Sequence, residues 1–140
     1  MVDALNKRVN FLNETIEENK IENTIAIHGR AEELAHDEKY REKFDIAVSR
    51  AVAPLNVLVE YLLPFVKVSG KAICMKGPKL DEEIEEAKNA IKILGGKIDT
   101  IEEINLGENE NRKILIIKKI KNTESKYPRK AGTPSKKPIK

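Results

Sequence analysis

A chain of 140 residues with 40% hydrophobic content holds one domain around one core, because two cores would each fall below the usual domain size. One cysteine, Cys74 in the apolar stretch KAICM, excludes an intramolecular disulfide and fits a reducing, cytoplasmic setting; no run reaches the length of a membrane span, and MVDALNKRVN lacks the apolar core of a signal peptide. The net charge of +3 is uneven: residues 121–140 carry seven Lys or Arg against one Glu, a net of +6, which leaves 19 basic and 22 acidic residues and a net of −3 in residues 1–120. Such a basic end favours a polyanionic partner.

From residue 4 to 19, Leu5, Val9, Leu12 and Ile16 recur at spacings of three and four and predict a helix, with Asp3 as a natural N-cap. Residues 23–27 are short and β-branched and read as a strand ended by Gly29; the charged stretch 31–43 reads as one or two short helices. FDIAV at 44–48 is a second strand. Pro54 then opens a buried helix running to about Leu62. KAICM at 71–75 is a third strand, broken by Gly77 and Pro78 before a charged helix over 81–94 that stops at Gly95 and Gly96. Residues 97–104 and 113–120 read as an antiparallel pair joined by a polar turn at 106–111. The remainder, with three of the six prolines and no apolar periodicity, reads as an extended tail. Alternating helices and strands imply a parallel α/β sheet that finishes in a reversed pair, and aromatic residues at 4% leave its core to Ile, Leu, Val and Ala.

Candidate ligand groups lie at the carboxyl ends of the strands, where such sheets bind ligands. Asp3 could accept two hydrogens from cofactor ribose hydroxyls, or only cap its helix. Ala31 and Glu32 follow a strand and could line an adenine site, or form an ordinary strand-to-helix loop whose Glu residues favour the helix N-terminus. Arg50 could engage a carboxylate or phosphate through paired hydrogen bonds, or form a buried ion pair with Asp45 or Glu32. Lys76 could stand near a substrate or simply be solvated. His28 and His36 give no metal spacing with Cys74, so no metal site is expected. No Ser/His/Asp set or P-loop is present, and the carboxylate runs 81–86 and 102–103 read as solvated faces. In the tail, Tyr127 flanked by Arg129 and Lys130 could stack on a base and neutralise phosphate, or serve only as a solubilising segment.

Taken in order, DALNKRVNFL at 3–12, HGRAEEL at 28–34, YREKFDIAVSRAVAPLNVLVEYLLP at 40–64, GKAICMKG at 70–77, NRKILIIKKIK at 111–121 and YPRKAGTPSKKPI at 127–139 resemble the bacterial 16S ribosomal RNA guanine-N7 methyltransferase family, also called glucose-inhibited division protein B. The resemblance implies a truncated, Rossmann-like class I fold dependent on S-adenosylmethionine and ending in an antiparallel strand pair. It places Ala31, Glu32 and Arg50 in the S-adenosylmethionine site, with Asp3 at the ribose position. It makes the basic tail, with Tyr127, Arg129 and Lys130, a contact for 16S ribosomal RNA or the small ribosomal subunit, and leaves Lys76 and Arg112 as candidates for holding RNA near the methyl donor. Guanine N7 carries a lone pair and no proton, so no catalytic acid or base is expected.

The family pattern begins with a helical region, a strand and a glycine-rich loop that are not found before Met1, so residues 1–120 are expected to form a partial methyltransferase domain, followed by the tail at 121–140. The missing strand would lie between those at 23–27 and 44–48. Little activity is therefore expected without a complementing N-terminal fragment. A rival reading is a non-catalytic RNA-binding protein acting through its tail; a nicotinamide dehydrogenase is a weaker third, opposed by the final hairpin.

Overall fold

The computed structural model describes residues 1–50, 53–105 and 111–140. In chain order it contains strand β1 (Val2–Asp3), helix α1 (Asn6–Glu18), strand β2 (Ile27–His28), the single turn α2 (Ala31–Leu34), strand β3 (Phe44–Arg50), helix α3 (Leu55–Leu62) with a tight helical turn Leu63–Phe65, and strand β4 (Val66–Lys76). Helix α4 (Leu80–Ile93), strands β5 (Gly96–Asn105) and β6 (Asn111–Lys119), and the turn α5 (Thr133–Lys136) complete it. The polar turn expected at 106–111 falls almost wholly outside the described residues.

Most elements form where apolar periodicity is strongest. In α4, Ile84, Ala87, Ala90 and Ile91 make one buried stripe while Asp81, Glu82 and Glu83 occupy the first turn, where carboxylates complement the helix dipole. Gly95 ends that helix at φ +87°, and a Cβ there would stand 2.2 Å from the Lys121 carbonyl oxygen, so no other residue fits. Three details differ from expectation. The strand sought at 23–27 is only Ile27–His28, and it pairs in parallel with Val2–Asp3, which has no alternation of its own to reveal it. Of the stretch 31–43 only four residues are helical, the rest being turns. Leu5, not Asp3, occupies the N-cap of α1; the Asp3 carboxylate instead accepts the Leu5 N–H at 2.8 Å.

The strands form two separate sheets. One is the β1–β2 pair; the other has the order β3–β4–β6–β5, with β3 and β4 parallel and β6 antiparallel to both its neighbours. The expected reversed ending is therefore present, with β6 inserted beside β4. Leu58, Leu63, Leu80, Leu94, Ala72, Cys74, Leu115 and Ile117 pack α3 and α4 onto one face of the larger sheet. Its other face is also apolar: Val48 pairs with Ile73, and Ile73 with Ile116, all on that side. Val48 is 57% exposed and Ile46 55%. A sheet apolar on both faces is built to be covered on both, and among the described residues only one face is.

Residues 121–140 depart most from expectation: instead of extending as a tail they fold back on the domain. Thr123, Pro128 and Pro134 are buried, and Tyr127 and Ile139 pack against the core. The Arg41 guanidinium donates to the carbonyls of Ala35, Thr123, Glu124 and Tyr127 at 2.8–3.1 Å. The Glu42 carboxylate accepts the Thr123 N–H, the Asn122 amide and the Lys119 ammonium. The segment lacks apolar periodicity because hydrogen bonds and ion pairs, with two prolines, hold it rather than a hydrophobic stripe.

Candidate functional site

At the carboxyl end of the larger sheet, Arg50, Lys76 and Lys113 stand on the neighbouring strands β3, β4 and β6. The first turn of α4 separates their fates. Lys76 is buried against Glu83 at 2.6 Å and donates to the Ala53 carbonyl at 2.8 Å. Lys113 pairs with Asp81 at 2.5 Å and with Glu103 at 3.2 Å, and the hydrogen bond that it donates to Asp81 is the main reason its ammonium is held above its ordinary pKa. Arg50 is exposed and has no ion-pair partner among the described residues; Asp45, the partner considered for it, binds Lys67 at 2.5 Å. Arg50 is thus the edge cation left to attract an anionic ligand. Lys76 does not match the solvated reading, whereas the acidic run 81–86 does except at Glu83: Asp81, Glu82, Glu85 and Glu86 are exposed, and Asp81 meets Lys113 from the surface.

Arg50 borders a cavity of about 800 Å³ between the two sheets, walled by Val2, Ile27 and Ala31 on one side and by Ile46 and Val48 on the other. The cavity brings Ala31 and Arg50 to one space. Glu32 does not line it: the side chain is buried, and Oε1 accepts the Gly132 N–H at 3.0 Å, which ties α2 to the C-terminal segment. Asp3 stands at the end of β1, with Oδ2 3.5 Å from Arg8. The Asn56 side-chain oxygen is buried without a hydrogen-bond partner among the described residues.

The nucleic-acid candidates divide by burial. Arg112 and Lys130 are exposed. Arg129 is not a free cation: its Nε and Nη2 grip the fully buried Glu60 carboxylate at 2.6–3.2 Å, and its backbone N–H donates to Oε1 at 2.8 Å. That hydrogen bonding raises the Arg129 pKa further. Tyr127 packs its ring on the core and carries Lys126 5.3 Å from the ring centre. Arg129 and Tyr127 are thus engaged with the domain rather than free, and Lys76 is buried.

Among the described residues no group of His, Cys, Asp and Glu is arranged to hold a metal ion, and no helix is long and apolar enough to cross a membrane. Burial pushes the Cys74 thiol up to about 12, which leaves it inert as a nucleophile at neutral pH. Sequence reasoning missed Arg41, Glu42, Glu60, Glu83 and Lys119. A charge inside an apolar run, such as Glu60 in LNVLVEYL or Lys119 after KILII, is the signal that could have found two of them.

Solved structures share the fold. An rRNA methylase from Streptococcus thermophilus superposes with a TM-score of 0.61 at 18% identity, over 86% of this chain and 72% of that one. A fibrillarin pre-rRNA processing protein from Methanococcus jannaschii does so at 0.59 and 22% identity, over 86% and 55%. The architecture is the Rossmann-like class I methyltransferase fold that the family resemblance implied.

The sequence narrows the class to one family. Residues 1–116 match the profile of GidB, rRNA small subunit methyltransferase G, and the chain belongs to that family. It is 57% identical to the ribosomal RNA small subunit methyltransferase G of Alkaliphilus metalliredigens and 51% identical to that of Clostridium tetani, over its whole length in both cases. The chain spans 59% of the length of these relatives.

Proposed function

We propose that this chain supplies the C-terminal part of an S-adenosylmethionine-dependent methyltransferase that acts on guanine N7 of 16S ribosomal RNA in the cytoplasm, and that it becomes competent when an N-terminal segment fills the space between its two sheets. The observation that carries this reading is the cavity itself. It separates β1–β2 from the edge of β3 that no strand among the described residues pairs, and Ala31 and Arg50 meet at it. A strand seated there would satisfy the backbone groups of that edge.

S-adenosylmethionine would supply a methyl group on a sulfonium centre. Arg50, exposed and without an ion-pair partner among the described residues, suits the amino-acid carboxylate of such a donor through paired hydrogen bonds. Ala31 is small enough to let a flat ring approach, and Asp3 at the end of β1 suits ribose hydroxyls. Because the accepting nitrogen carries no proton, the protein's task is to align and to exclude water. Arg112 and Lys130 are the exposed cations proposed for contacting ribosomal RNA; Tyr127, Arg129 and Lys76 act as internal supports.

Calorimetric titration of S-adenosylmethionine into residues 1–140, alone and mixed with the N-terminal segment of a relative, tests the proposal. Binding in the mixture, weakened by Arg50→Ala, is the expected result. Tight binding or turnover by residues 1–140 alone would remove the need for the added segment. A folded mixture that binds no donor would overturn the functional reading.

A further inference from the structure

Lys76 closes strand β4 in a place where a lysine is costly. Its side chain is 7% exposed and its ammonium sits 2.6 Å from Glu83 Oε2. Such a buried pair adds little net stability over an apolar pair of the same volume, so its presence argues for fixing one arrangement of the chain. What it fixes can be read from the remaining bonds. The Lys76 ammonium donates to the Ala53 carbonyl at 2.8 Å, and Glu83 Oε2 accepts the Leu55 N–H at 2.7 Å. Leu55 is the first residue of α3, whose N-cap, Pro54, offers no side-chain acceptor, so the Glu83 carboxylate does the capping from another helix. The pair therefore holds the chain on both sides of Pro54, where it enters α3 a few residues after Arg50.

We propose that Lys76, acting with Glu83, is a positioning residue for the ligand edge: together they clamp the entry to α3 at Ala53 and Leu55 and so set the position of the helix whose Leu58, Tyr61 and Leu62 border the same cavity as Arg50. The assignment replaces an RNA-contact role for Lys76 and rests on the ligand edge being the one under "Proposed function". The clamp draws on α4 and β4, which are packed in the core, so a rigid part of the molecule holds a part that borders the cavity. Lysine suits the task because one ammonium can serve a carboxylate and a carbonyl at once.

Residue-resolved amide exchange on residues 1–140 tests it, with Lys76→Met, Lys76→Arg and Glu83→Gln compared to the parent. The Leu55 amide is expected to exchange about tenfold faster in Lys76→Met, because the Glu83 carboxylate that accepts its N–H loses the ammonium that holds it in place. The amides of Leu115 and Ile117 should hold their rates, and Lys76→Arg should recover most of the protection. Should Lys76→Met fail to fold, Glu83→Gln gives the same reading through an upfield shift of the Leu55 amide proton. Unchanged exchange at Leu55, or a uniform rise across β4 and β6, would overturn the proposal. In the complemented mixture, donor affinity lowered about tenfold by Lys76→Met and restored by Lys76→Arg supports the positioning role; equal affinity in all three proteins overturns it. Local loosening at Leu55 in proteins that bind no donor at all would leave the clamp standing and count against the function instead.

Discussion

Replacing Arg129 by alanine should detach the C-terminal segment and weaken the whole domain. Glu60 is fully buried, and three of the four hydrogen bonds on its carboxylate come from the Arg129 side chain. Removing one partner of a buried pair costs about 3–5 kcal/mol. The Arg129 side chain is 26% exposed, so water can reach the vacated space and the lower end, about 3 kcal/mol, is expected. With urea slopes of roughly 1–3 kcal/mol per molar, the unfolding midpoint should fall by about 1–3 M. Trypsin should cut at Lys126 and Lys130 in the variant under native conditions while the parent resists. Leucine at both Glu60 and Arg129 should recover much of the loss, since no charge is then left buried. A midpoint change equivalent to less than about 0.5 kcal/mol, the range of an ordinary surface substitution, would refute the docked segment.

Two further outcomes follow from titrating groups. Burial alone would raise the Glu42 pKa, but hydrogen bonds from Asn122, Thr123 and Lys119 outweigh it and hold the group below its ordinary 4.5. Its contribution is therefore present above about pH 4.5 and lost as pH falls through the lower folded value. Glu42→Gln should be about 1 kcal/mol less stable at pH 7, with the deficit shrinking in acid; urea unfolding that shows a constant deficit down to pH 3 would contradict this. Cys74, shifted from 9.0 to about 12 by burial, carries about a thousandfold less thiolate than an exposed thiol, and labelling by a thiol reagent at pH 8 should follow the unfolding rate. Rapid labelling of the folded protein would show that the α3–α4 side of the sheet is open.

The sequence by itself determined the large elements. Periodicity marked α1, Pro54 and the apolar run after it marked α3, the breakers on either side marked α4, short strand-like runs marked β3 to β6, and Gly95 stopped α4 because only glycine fits at its φ of +87° beside the Lys121 carbonyl. The position of Arg50 at the carboxyl end of a strand was legible for the same local reason. Strand β1 was not, because two residues become a strand only when a partner supplies the hydrogen bonds. Nor could the sequence sort its cations. Lys76, Arg50, Arg129 and Lys130 look alike as letters, yet Glu83 takes the first and Glu60, 69 residues away, takes the third. A charge is a local property, whereas its burial and its partner are set by which distant segments the fold brings together. That is why tertiary structure alone decided that the basic end is a docked segment and that Arg50 borders the cavity with no ion-pair partner among the described residues.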